Sequence, residues 1–325
     1  MRAIFSLIFL VVLSCTIYEA ISKDAALETV SKHGKLSVSG NDLVDQSGEK
    51  VQLKGMALYW SIWKPQYWNQ ATIDGISTRC HSNVVRASMA VDTQSGGYLN
   101  DPSGQLALVE TIIEAAIKDD IYVIVDWHEE HAYNNVEQSK GFFDTISKKY
   151  GSYPNIMYET FNEPTDADWA TVIKPYHEAV IATIRANDPD NIIIVGTPWY
   201  SQRLDLALAD PITTSTNIMY TLHFYAGTHR QWLRDVAQTA RDGGLPIFIT
   251  EYGTDNTDAV NAVDEAESKL WWTWLDENNL SYANWAICDV DEASAALIAD
   301  TTPEQVCEDA YLTLSGKLVV AQNAA

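Results

Sequence analysis

Two glutamates stand where an apolar run meets a loop, and each has the company that acid–base chemistry needs. Glu163 lies in Asn155–Pro164, NIMYETFNEP, and Glu251 in Leu245–Gly253, LPIFITEYG. Pro164 cannot donate to a sheet ladder, so the strand is predicted to stop just before it, leaving Asn162 and Glu163 at its carboxyl end. Other runs finish in polar groups too. Arg86 sits in NVVRASM, Asp126-Trp127-His128 ends IYVIVDWH, His223 and Tyr225 lie in NIMYTLHFY, and Trp285 lies in SYANWAI. Two carboxylates backed by Arg, His, Asn and Tyr suit cleavage of a glycosidic bond: one acts as proton donor, the other as nucleophile or base. Singly, each residue has a plainer reading, as an ion-pair partner, a helix cap or core. Their recurrence at successive run ends favours a shared site.

Only certain elements could hold these groups on one rim. Eight short apolar runs alternate with helix-patterned stretches such as QLALVETIIEAAIKDD and TVIKPYHEAVIATIRAND. That is the arithmetic of a single α/β domain, a (β/α)8 TIM barrel whose catalytic residues sit at the carboxyl ends of the strands. A doubly wound sheet is the alternative. It is disfavoured because no glycine-rich phosphate loop follows the first strand. Ahead of the barrel, KLSVSGNDLVDQSGEKVQL alternates apolar and polar residues around glycine turns, predicting a short N-terminal β-hairpin that closes the barrel bottom.

Composition narrows the partners. Lys plus Arg number 21 against 44 Asp plus Glu, a formal net charge of −23, which argues against nucleic acid and anionic membrane surfaces. The chemistry requires no metal or organic cofactor, and a monomer is expected. In His128-Glu129-Glu130-His131 the histidines are three apart after a strand, whereas the zinc-protease pattern places them four apart on a helix. The first residues, MRAIFSLIFLVVLSC, read as a signal peptide over residues 1–22, with residues 23–325 as the mature barrel and secretion to the extracellular space expected. A lipoprotein site ending at Cys15 is the less favoured alternative. Outside the leader, Cys80, Cys288 and Cys307 allow one disulfide and one free thiol, and Cys288–Cys307 is the expected local pair.

The segments LKGMALYWS, NVVRASM, VIVDWH, YETFNEP, VGTPWYSQ, TLHFYAGTH, PIFITEYG and YANWAICDVDEASAA, in that order, resemble glycoside hydrolase family 5. Within it they are similar to the bacterial-type endo-β-1,4-glucanases that also occur in some invertebrates. The resemblance implies that Glu163 is the general acid/base and Glu251 the nucleophile of a retaining reaction, so that Glu163 needs a raised pKa. It also implies that Arg86 and Tyr225 flank the nucleophile and that Asn162 holds the sugar 2-hydroxyl. His128 and His223 are implied to contact substrate hydroxyls or the carboxylates, and Trp285 to form a stacking floor. Trp60, Trp63, Trp199 and Tyr200 are expected at outer subsites. Two departures concern substrate preference: Tyr200 stands where many relatives have Trp, and Val290 where many have a sugar-contacting Lys. The implied substrate is a β-1,4-glucan, soluble or amorphous because no carbohydrate-binding module is visible. An endo-β-mannanase or xylanase would use the same acid, nucleophile and Asn. An inactive sugar-binding protein would have lost one of the glutamates.

Overall fold

The computed structural model describes residues 29–91, 96–259 and 262–325. The leader expected over residues 1–22 lies outside the described residues. Eight parallel strands close into a barrel: β3 (Lys54–Leu58), β4 (Val84–Ala90), β5 (Tyr122–His128), β6 (Ile156–Glu159), β7 (Ile193–Val195), β8 (Ile218–Tyr225), β9 (Ile247–Gly253) and β10 (Tyr282–Ile287), with β10 pairing back onto β3. Before them, β1 (Ser37–Ser39) and β2 (Asp42–Val44) form the antiparallel hairpin. Helices α1 (Gln70–Thr78), α2 (Pro102–Lys118), α3 (Val136–Tyr150), α4 (Lys174–Arg185), α5 (Leu204–Ala209), α6 (Gln231–Asp242) and α7 (Glu265–Glu277) follow β3 to β9 in turn, and α8 (Leu314–Asn323) ends the chain. This is the (β/α)8 barrel that the alternating pattern predicts.

The strands read as apolar runs because both faces are buried. On β4, Val85, Ala87 and Met89 pack outward in the main core, while Val84 joins a separate inner cluster. That inner cluster joins Leu36, Leu43 and Val51, from the hairpin and its flanks, to Ile124, Met157, Ile194, Met219 and Phe248. The hairpin therefore plugs the barrel bottom. With the bottom filled by hydrocarbon, the polar inward positions collect above it, towards the carboxyl ends of the strands. Gly55 is required where β3 meets β4, because a Cβ there would overlap the carbonyl of Val84.

Two expectations need correcting. Strand β6 ends at Glu159, earlier than Pro164 alone predicts. Beyond it the chain stays tied to its neighbours, with Thr160 N donating to Ile194 O at 3.1 Å and Asn162 N to Trp127 O at 3.3 Å. Asn162 and Glu163 thus occupy a braced loop just past the strand. The disulfide is Cys80–Cys307, with the Cα atoms 5.4 Å apart, and not Cys288–Cys307. Arg79, at the end of α1, donates to the carbonyls of Val306 and Glu304 at 2.8 Å each, drawing the C-terminal segment onto α1 beside Cys80. Cys288 is a free thiol at the end of β10, packed among Ala57, Tyr59 and Trp285, where burial pushes its pKa up to about 12.

Candidate active site

Arg86 is the hub. It is fully buried on β4 and surrounded by carboxylates. Its Nε donates to Glu159 Oε2 at 2.7 Å, its Nη1 to Glu251 Oε2 at 2.7 Å, and its Nη2 lies 2.9 Å from Asp126 Oδ2. Burial disfavours the cation, but Asp126, Glu159 and Glu251 outweigh that and hold Arg86 firmly charged. Burial would likewise raise Glu159, yet Arg86 and His223 hold it down to about 2. A guanidinium suits this place because its planar fork bonds several carboxylates at once. Its Nη2 also donates to Asn162 Oδ1 at 2.7 Å, which fixes the amide with its NH₂ group free to donate.

Glu251 receives a second donor. Tyr225 Oη donates to its Oε1 at 2.8 Å, so each carboxylate oxygen is oriented by one group. Burial and the charge of Glu251 push the Tyr225 phenol far up, and it remains a donor. The Tyr225 ring can lie there because residue 253 is glycine: a Cβ would come within 2.5 Å of the ring Cε1.

Glu163 faces His223, whose Nδ1 lies 2.9 Å from Glu163 Oε1 and whose Nε2 lies 2.9 Å from Thr250 Oγ1. The Thr250 hydroxyl donates onward to Glu159 Oε1 at 2.6 Å. Burial alone would raise Glu163, as an acid catalyst needs, but the bond and charge of His223 overcome it and hold the carboxyl below its usual range. His223 moves the opposite way. Burial opposes its charge, yet Glu159 and Glu163 lift it to about 9. The expectation of a raised pKa on Glu163 is therefore corrected: His223 holds it down. The proton resides on the His223 side of the pair and can reach Glu163 across one hydrogen bond.

His128 plays a different part from His223. Its Nδ1 lies 2.7 Å from Asp126 Oδ2, and burial followed by the Arg86 charge drops its pKa to about 3. It is neutral, with Nδ1–H directed at Asp126 and Nε2 left as an acceptor. Its ring stacks on Trp285 at 5.3 Å and 6°, and Trp60 meets its edge at 4.2 Å. Trp63, largely exposed, packs 4.9 Å from Trp60. Trp285, Trp60 and Trp63 thus form one aromatic wall on the His128 side. Beside Val290, the lysine next to Asp289 comes from another segment: Lys64 Nζ lies 2.6 Å from Asp289 Oδ1.

On the Glu163 side a cavity of about 460 Å³ is lined by Glu163, Tyr200, Gln202, His223, Tyr225 and His229, among others. Tyr200 lines this cavity, whereas Trp199 opens into a neighbouring depression. Sequence reasoning assigned no role to Glu159, Thr250 or Gly253. The quoted motifs contain all three, but inward positions behind a catalytic residue look like ordinary strand. His131 is half exposed and does not converge with His128. Among the described residues, ligand atoms of Glu163, His223 and Glu251 lie within 4.8 Å of one another, close enough for a metal ion. Both nitrogens of His223 are already engaged, so a cation would have to displace the shared proton.

Residues 44–291 match the family description "Cellulase (glycosyl hydrolase family 5)". The chain is 44% identical over 288 residues to Endoglucanase Z of Dickeya dadantii, spanning 87% of this chain and 65% of that protein, slightly under two thirds of its length. A solved structure from Cytophaga hutchinsonii superposes with a TM-score of 0.89 at 44% identity, covering 91% of this chain and 96% of that one. The catalytic domain of a Thermobifida fusca endoglucanase, solved as a variant in complex with cellotetraose, gives a TM-score of 0.84 at 29% identity, covering 91% and 99%.

Proposed function

Because this chain belongs to glycosyl hydrolase family 5, the cellulases, we infer that it is an endo-β-1,4-glucanase cutting internal bonds of a β-1,4-glucan with retention of configuration. The observation that carries this reading is the spacing of the two glutamates, whose facing oxygens lie within 4.8 Å. Retaining enzymes hold their carboxyls about 5–5.5 Å apart, while inverting ones leave about 6.5–9.5 Å for a water.

In this reading Glu251, oriented by Arg86 and Tyr225, attacks the anomeric carbon. The proton held by the His223–Glu163 pair passes through Glu163 to the leaving oxygen, and the glycosidic bond breaks. A covalent glycosyl-enzyme on Glu251 results. Water then attacks, Glu163 takes its proton and returns it to the pair, and Glu251 is released. The free NH₂ of Asn162 donates to the 2-hydroxyl, and neutral His128 accepts from a neighbouring hydroxyl. Trp285 supplies the flat apolar face beneath the ring. Glucan is favoured over mannan or xylan because the similar Dickeya and Thermobifida proteins are endoglucanases and the latter is solved with cellotetraose.

We place the enzyme outside the cell, on the strength of the apolar leader that follows Arg2. No helix among the described residues is long and apolar enough to cross a membrane. The test is reducing-sugar release from carboxymethyl-cellulose, glucomannan and xylan, with Glu251→Gln alongside. Activity chiefly on the cellulose derivative, lost in the variant, supports the reading, and a preference for mannan or xylan overturns the substrate.

A further inference from the structure

Next to the Glu163 cavity lies a second depression of about 540 Å³, whose walls include Trp199, Trp232, Gln202, Arg203 and Asp205. Trp199 and Trp232 are 55% and 52% exposed, a costly arrangement for two tryptophans sharing one groove. Scattered exposed aromatics need no explanation, but these two are joined to the active site by two routes. Gln202 lines both cavities. Trp232, on α6, also packs at 5.8 Å on His229, which lines the Glu163 cavity and accepts a bond from Tyr225 N at 2.8 Å.

The backbone supplies an independent sign. Trp199, Tyr200 and Ser201 all have left-handed φ, at 58°, 58° and 56°, a run that L-residues avoid. Such strain persists only where surrounding structure enforces it, and it gathers at functional sites. Here the enforcing bonds come from the loop that carries the acid. Trp199 N donates to Thr165 O at 2.7 Å, Tyr200 N to Pro164 O at 2.9 Å, and Ser201 Oγ to Asn162 O at 2.9 Å. The turn therefore holds Tyr200 in the Glu163 cavity and Trp199 just beyond it, in fixed register with the catalytic glutamate.

We propose that Trp199 and Trp232 form a distal sugar platform that binds the leaving-group half of the β-glucan chain, beyond the unit facing Tyr200. The assignment rests on the glucanase reading above. The leaving oxygen is the one Glu163 protonates, so the chain beyond it runs over the side built on the Glu163 loop. The ion-paired Arg203 and Asp205, 2.7 Å apart, add donors and acceptors for hydroxyls at the groove edge. Two flat rings with polar groups at their margin fit a pyranose, whose faces are apolar and whose rim is polar.

The test compares the full chain with Trp232→Ala and Trp232→Phe on cellohexaose and on an aryl β-cellobioside, whose leaving group carries no sugar. Trp232→Ala is expected to lower kcat/KM on cellohexaose about five- to tenfold, with Trp232→Phe recovering most of it and the aryl substrate unaffected. Equal losses on both substrates would assign Trp232 a structural role and overturn the proposal, as would no loss on either. Calorimetric binding of cellohexaose to Glu251→Gln, with and without Trp232→Ala, reads the contact without turnover. A wild-type chain inactive on both substrates would overturn the glucanase reading. The binding contrast would still decide the platform: about five- to tenfold weaker binding supports it, and unchanged binding overturns it.

Discussion

Replacing His223 by Asn tests where the catalytic proton is kept. His223 is 1% exposed and titrates at about 9 against an ordinary 6.5, a difference of about 3 kcal/mol in favour of its charged form. Because the folded value is the higher one, this stabilisation is complete below about pH 6.5 and disappears as pH rises through 9. The same proton serves catalysis, so kcat/KM on a cello-oligosaccharide should fall on the alkaline side with an apparent pKa near 9. Asn carries no charge. Burial then acts on Glu163 without its main counterweight, and the alkaline limb should move to lower pH than in the wild type. At pH 8 the variant should run below its own plateau, while the wild type stays near its maximum. An aryl cellobioside with a good leaving group needs little proton donation, so its alkaline limb should move less. Rate profiles from pH 4 to 10, with denaturant midpoints over the same range, supply both readouts. An alkaline limb that stays near 9 in His223→Asn would refute the shared-proton account.

Other perturbations separate the parts of the site. Gly253→Ala drives a methyl into the Tyr225 ring and should break its bond to Glu251, lowering kcat roughly 10- to 100-fold, the worth of one hydrogen bond to a charged group; an unchanged kcat would show that the ring has room to shift. Arg86→Ala leaves Asp126, Glu159 and Glu251 buried without their cation, and should cost roughly 3–5 kcal/mol in chemical denaturation besides abolishing activity. Cys80→Ser removes a crosslink between positions 227 residues apart and should cost about 2–5 kcal/mol, whereas Cys288→Ala should leave the non-reducing gel mobility unchanged. Reversed gel outcomes for the two cysteines would restore the local pairing.

The barrel was legible because its strands are buried on both faces and so read as apolar runs, each ending where polar side chains must gather. Arg86, Asn162, Glu163, His223, Tyr225 and Glu251 are visible by that logic, and the structure brings them together. What escaped depends on contacts distant in the chain. The proton position on Glu163 is set by His223, 60 residues away, and no local pattern reports that bond. The disulfide joins α1 to a C-terminal segment that folds back on it, while Cys288, nearer to Cys307 in sequence, is carried inward by β10. The left-handed turn at Trp199 to Ser201 contains no glycine to announce it, because backbone bonds from the acid loop enforce it. Glu159 and Thr250 were hidden for another reason: each lies inward, one layer below a catalytic group, and its supporting role shows only in bonds to Arg86 and His223 from other strands.

The central claim is that Glu251 becomes covalently glycosylated while Glu163 supplies the proton. Brief incubation with a 2-deoxy-2-fluoro cellobioside bearing a good leaving group, followed by acid quenching, digestion and peptide mass spectrometry, addresses it directly. The account predicts one added fluorocellobiosyl group, located on Glu251, and none in Glu251→Gln. A label on Glu163, or no trapped sugar together with α-configured product from unmodified substrate, would contradict it.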